Sequence, residues 1–208
     1  MARYRGAVCK ICRREGIKLF LKGERCFGPS CALDRRNYAP GQHGQARRKY
    51  SGYRLQLREK QKARMMSGMM ERQFALYFKR AENMKGLTGE NLLILLETRL
   101  DNIVYKLGFA SSRAQARQLV LHGHILINGR KVNIPSYRVE VGQRISIKEK
   151  TKKAQVIKGA LEKAEERGIP AYLKFDKDNL TGELDRMPQR DEVSIPVHEQ
   201  SIVELYSK

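Results

Sequence analysis

Four cysteines, Cys9, Cys12, Cys26 and Cys31, stand within the first 31 residues of this 208-residue chain and nowhere else. The spacing is C-x2-C, thirteen residues, then C-x4-C, the pattern of four thiolates around one tetrahedral ion. A segment this short cannot bury a core of its own, and a metal cross-link would fix its fold instead. Gly16, Gly23, Gly28 and Pro29 supply turns between and beside the pairs. A disulfide framework would use the same residues, but it belongs to exported chains, and Met1-Ala2-Arg3-Tyr4-Arg5 does not read as an export signal. Thiolates also hold iron–sulfur clusters. The expected cofactor is one zinc ion on the four cysteines, with an Fe–S cluster as the lesser alternative.

Charge narrows the class. The chain carries 42 Lys plus Arg against 22 Asp plus Glu, a net +20. The surplus is uneven: residues 1–85 hold 22 basic and 6 acidic side chains, residues 98–150 hold 10 and 3, and residues 151–208 hold 10 and 11. A solvated surface mixes its signs, so a surplus of this size in the first zone calls for a polyanion such as nucleic acid opposite it. Aromatic residues Tyr38, Tyr50, Tyr53, Phe74, Tyr77 and Phe78 argue against a disordered basic tail. The longest aliphatic run, Leu92–Leu96, is far short of a membrane span, so a cytoplasmic protein is expected, with no membrane partner and no small-molecule substrate.

After the cysteines, Tyr38-Ala39-Pro40-Gly41-Gln42-His43-Gly44-Gln45 reads as a loop, followed at once by Arg47, Arg48 and Lys49. His43 is assigned to RNA contact, because four thiolates already complete a tetrahedron. Helical patterning starts near Arg54 and breaks at Gly68, where Met65, Met66, Met69 and Met70 cluster as adaptable filler. Phe74, Tyr77 and Phe78 recur at i, i+3 and i+4, the signature of a buried stripe rather than of base-stacking rings. A further helix is expected from Glu90 to about Leu107, capped by Thr88. Ser112-Arg113-Ala114-Gln115 reads as a capping box for a helix running to Leu121 and stopping at Gly123, with Arg113 and Arg117 on one face. Ile125 to Ile134 alternate around Asn128-Gly129, a hairpin signal, and Tyr137, Val139, Val141, Ile145 and Ile147 extend the alternation into further strands.

Thr98-Arg99-Leu100-Asp101-Asn102, Ser111 to Val120, Gly123-His124-Ile125 and Asn128-Gly129 resemble the RNA-binding module named after ribosomal protein S-four. Arg3-Tyr4, the cysteines, Arg13-Arg14-Glu15-Gly16, Ala39 to Gly44, Leu57 to Lys62, Glu71 to Phe74 and Val203 to Ser207 extend the likeness to the bacterial S-four family of small-subunit ribosomal proteins, end to end. That resemblance implies an α+β fold: a zinc knuckle and basic loop over 1–45, a helical domain over 46–97 completed by 190–208, and an inserted α/β domain over 98–189. The RNA-binding module, with its small antiparallel sheet, would occupy about 98–160 of the inserted domain. The chain departs from the family at Met65, Met66 and Ser67, where basic and aromatic residues are common, so RNA contacts are not expected in that turn.

The resemblance also implies a structural component of the small ribosomal subunit that binds the 5′ domain of its ribosomal RNA and starts assembly. It would meet messenger RNA where this enters the subunit, through Arg47, Arg48 and Lys49, and ribosomal protein S-five through its neutral C-terminal third, an interface tied to decoding accuracy. The RNA-contact candidates are Arg3, Tyr4, Arg13, Arg14, Lys22, Arg25, Arg35 and Arg36, then Gln42, His43 and Gly44 beside the basic triplet. Arg54, Arg58, Lys60 and Lys62 follow on the first long helix, and Arg113, Arg117, His122, Asn128, Arg130 and Lys131 in the inserted module. The rival reading is an RNA-modifying enzyme: Arg99-Leu100-Asp101 matches the catalytic tripeptide of pseudouridine synthases, with Asp101 as nucleophile. A zinc-ribbon DNA regulator is the third, and no helix-turn-helix or heptad dimer element supports it.

Overall fold

The cysteine segment folds as α1 (Cys9–Glu15), a 3-10 turn (Gly23–Cys26) and α2 (Ala32–Arg35) in a computed structural model that describes residues 3–46 and 51–207. Two compact units emerge: one runs to Leu93 and resumes at Ile195, and the other spans Ile94–Ser194. In the first, α3 (Gly52–Met66) opens on Ser51, whose hydroxyl accepts from the Arg54 amide at 3.3 Å and so satisfies one of the amides a helix start leaves over. Gly68, at φ 63°, takes the left-handed turn that ends this helix. Met66 and Met69 fill the junction while Met70 faces solvent. α4 (Glu71–Glu82) then buries Phe74, Tyr77, Phe78 and Ala81 along one face, as the periodicity predicts.

The single helix expected over Glu90–Leu107 is two: α5 (Thr88–Glu97) and α6 (Leu100–Lys106). Between them Arg99 is extended (φ −68°, ψ 139°). Tertiary hydrogen bonds cause the break. Arg99 forms a bridge to Arg138, the Val139 amide donates to the Thr98 carbonyl at 2.9 Å, and the Leu100 amide donates to the Tyr137 carbonyl at 2.9 Å. Backbone pairing of this kind overrides a helical pattern that runs straight through the break.

In the second unit Ser112 caps α7 (Arg113–Leu121) by accepting from the Gln115 amide. The return half of the expected box goes one residue astray: Gln115 Oε1 accepts from the amide and the hydroxyl of Ser111, both at 2.7 Å. β1 (Ile125–Ile127) and β2 (Arg130–Lys131) form the expected hairpin, and Asn128 and Gly129 adopt the positive φ values, 48° and 78°, that a type I′ turn demands. Tyr137 to Val141 make no strand beyond the bridge at Arg138, which corrects the alternation reading there. β3 (Arg144–Ile147), α8 (Glu149–Lys152), α9 (Gln155–Arg167), β4 (Leu173–Asp176) and β5 (Thr181–Leu184) follow. The sheet is antiparallel in the order β2-β1-β3-β5-β4. Val104, Val120, Ile125, Ile145, Ile147 and Ile157 meet in the core between helices and sheet. Gly182 admits that packing: a Cβ there would lie 2.4 Å from Leu107 Cδ1.

The last helix, α10 (Glu199–Tyr206), belongs to the first unit and packs on α3. Its Tyr206 ring stacks on Phe78 at 4.3 Å and 20°, with Lys60 Nζ 5.9 Å from the same ring. Lys60 pairs with Glu71 at 2.6 Å, and the Tyr206 hydroxyl donates to Glu71 at 3.2 Å. Burial, then the Glu71 charge, holds the phenol above its ordinary range, so it stays a donor. No helix among the described residues is long and apolar enough to cross a membrane.

Candidate nucleic-acid interface

Helical geometry sets Cys9 and Cys12 three residues apart on one side of α1, which ends at Gly16 (φ 71°). Cys26 closes the 3-10 turn and Cys31 precedes α2. Cys12, Cys26 and Cys31 are buried, and no disulfide joins any of the four. Burial pushes the Cys12 thiol up, a backbone hydrogen bond at Leu19 opposes that, and the charges of Cys26, Cys9 and Cys31 add to it. Cys26 is raised by burial in the same way, against a hydrogen bond from the Lys22 amide at 3.4 Å. Among the described residues, no group of three or more His, Cys, Asp or Glu is assembled for a metal ion.

Around this segment Arg3, Tyr4, Arg14, Lys22, Arg25, Arg35 and Arg36 are exposed. Arg13 is a strut: its Nε donates to the Arg36 and Tyr38 carbonyls at 3.2 and 3.0 Å, and its guanidinium lies 5.0 Å from the Tyr38 ring centre. Arg25 donates to the Ser30 carbonyl at 3.1 Å. Gln42 and His43 are exposed on the loop. Gly44 is obligatory there, since a Cβ would fall 2.0 Å from the Ala39 carbonyl oxygen. Arg47, Arg48 and Lys49 lie outside the described residues.

On α3, Arg54, Arg58 and Lys62 are half-buried, Arg58 donating to Glu15 at 3.1 Å and Lys62 pairing with Glu59 at 2.6 Å. Lys60 is buried against Glu71 and Tyr206, which corrects its expected RNA contact, because the core aromatics take its face of the helix.

The inserted unit divides its cations by depth. Arg113 is half-buried, donates to Asn102 Oδ1 at 2.9 Å and stacks 4.6 Å from the Tyr105 ring. Arg117, expected beside it on an RNA-facing surface, is 3% exposed and donates to Asp101 Oδ2 at 3.1 Å. That expectation is corrected: the turn of α7 carrying Arg117 faces the module's interior, where Asp101 takes the charge. His122 is exposed at the end of α7, and Asn128 is exposed at the hairpin, its Oδ1 accepting from the Arg144 amide at 2.8 Å. Arg130 and Lys131 are exposed on β2. Arg144 itself is exposed at this end of the sheet and was no candidate; its position opposite buried Ile145 in the alternation of β3 is the signal that finds it.

Asp101 is 5% exposed and receives Arg99 Nε at 3.0 Å and Arg99 Nη2 at 2.7 Å besides Arg117. A nucleophile for a base needs an open approach, and this carboxylate is sealed between two guanidiniums. Exposed cations are thus dispersed over both units.

Residues 3–97 match the family model of the ribosomal protein S4/S9 N-terminal domain, and residues 98–145 match that of the S4 domain. The small ribosomal subunit protein uS4 of Pelotomaculum thermopropionicum is 56% identical over 208 residues, covering 100% of both chains. Those of Trichlorobacter lovleyi and Geotalea daltonii are each 57% identical over the same full length. The chain belongs to the uS4 family of small ribosomal subunit proteins.

Proposed function

We propose that the chain is a structural, non-catalytic component of the small ribosomal subunit in the cytoplasm, where it binds ribosomal RNA and serves translation. One observation carries the reading: likeness to uS4 runs through the whole chain, at 55–57% identity without gaps in coverage. Exposed Arg14, Lys22, Arg25, Arg35, Arg36, Arg130 and Lys131 supply the cations such binding needs. The added protein is expected to co-sediment with small subunits and to remain through a high-salt wash; a protein left at the top of the gradient would defeat the reading.

The finer assignment is to the 5′ domain of that RNA, at an early step of ribosome assembly. Messenger RNA would be met where it enters the subunit, through Arg47, Arg48 and Lys49. Ribosomal protein S-five would be met through the C-terminal third, whose near-neutral balance of 10 basic and 11 acidic side chains suits a protein contact better than a phosphate one.

The four cysteines fit one zinc ion by donor chemistry: three are buried, and the Lys22 amide points at Cys26 Sγ as amides do around bound thiolates. Zinc would neutralise the mutual repulsion of the thiolates and tie α1 to the start of α2. Elemental analysis of the purified protein is expected to return one zinc per chain. A strong chelator should then speed hydrogen exchange in residues 1–45 and leave Ile94–Ser194 as protected as before. A metal-free protein with the same protection throughout would overturn this assignment.

A further inference from the structure

We propose that Phe20 and Phe27 form a platform on which an unpaired base of the bound RNA stacks; this rests on the RNA-binding reading above and names a contact within it. Phe27 is 64% exposed, so it forgoes the burial a phenylalanine ordinarily gains on folding. Its ring is stacked, lying 4.9 Å from the Phe20 ring at an interplanar angle of 29°. Phe20 reaches that position at φ 51°, a left-handed backbone that a bulky side chain rarely adopts. Strain at an ordered surface residue is characteristic of binding sites, and its result here is an aromatic ring backed on one face and left open to solvent.

The surroundings favour a nucleotide over an apolar protein surface. Lys22 and Arg25 are exposed within the same short segment, and Arg25 is held in place by the Ser30 carbonyl. Glu24 is the one acid between Phe20 and Phe27. An exposed ring on a segment that also exposes two cations suits a base attached to its phosphates, and folded RNA is commonly read by stacking of splayed-out bases because its major groove is closed to side chains.

The test compares wild type, Phe27→Leu and Phe27→Trp in the full-length protein, titrated with small-subunit ribosomal RNA at several salt concentrations. Phe27→Leu is expected to weaken binding about 5- to 150-fold at each salt, with an unchanged salt slope, because no charge is lost. Phe27→Trp should bind at least as well as wild type. Ultraviolet cross-linking of wild type in assembled subunits should join Phe27 to a nucleotide. Equal binding by wild type and Phe27→Leu, with a steep salt response in both, would overturn the platform and leave the RNA reading standing. A cross-link to another protein instead of RNA would do the same. A wild type with no salt-dependent RNA binding would remove both.

Discussion

Replacing Asp101 by alanine is expected to destabilise the Ile94–Ser194 unit by about 3–5 kcal/mol, the range for deleting one partner of a buried ion pair. Arg99 and Arg117 are 1% and 3% exposed and share this carboxylate, Arg99 through two hydrogen bonds at 3.0 and 2.7 Å and Arg117 through one at 3.1 Å. Without it, both buried guanidiniums lose the carboxylate that they share. Arg99 also sits where α5 gives way to α6, so the loss falls on the backbone bridge to Arg138 that shapes the module. Urea unfolding followed by circular dichroism measures the change; a midpoint within about 0.5 kcal/mol of wild type, the scale of an ordinary surface substitution, would sink the prediction. Asp101→Asn should lose less, because it keeps the shape and removes only the charge. Neither variant should alter pseudouridine in ribosomal RNA, and an activity lost in Asp101→Asn would revive the enzyme reading.

The second large effect is ionic. Affinity for folded small-subunit RNA is expected to fall about 10³- to 10⁵-fold between 50 and 200 mM salt, the range for 6–10 neutralised phosphates. Dispersed, exposed cations require this, because each releases counterions and few can read a base edge. Replacing Arg35 and Arg36 together by alanine should lower the slope of log affinity against log salt by about two, since each phosphate contact contributes about one. The loss should be similar across RNA sequences. A response that hardly changes with salt, or a loss confined to one sequence, would mean base readout instead.

Much of this was legible in the chain. The aromatic stripe of α4, the Gly68 break and the Asn128-Gly129 hairpin all came through, because each is set by local periodicity or by a backbone conformation that few residues tolerate. The break at Thr98–Arg99 was not legible, since partners forty residues downstream impose it on an unbroken apolar pattern. β4 and β5 are four-residue runs that carry charge and a glycine, too short and too polar for periodicity to mark them. At the interface, sequence identifies which residues are cations but not their depth. Arg113 and Arg117 look alike at i and i+4, and what separates them is Asp101, sixteen residues before Arg117 and inside the fold. Phe27 carried no signal at all, because exposure of an aromatic beside a cysteine cannot be read from spacing.

α10 bears on the order of events during synthesis. Tyr206, Glu204 and the His198 amide meet Phe78, Gln56 and Glu59, so the first unit lacks its closing contacts until the residues that follow the second unit have been made. The Ile94–Ser194 stretch is continuous in sequence and takes no element from after Ser194, so it has no such wait. In a nascent chain the contacts that α10 makes with α3 and α4 would therefore be the last of the first unit's to form, long after both helices have been made.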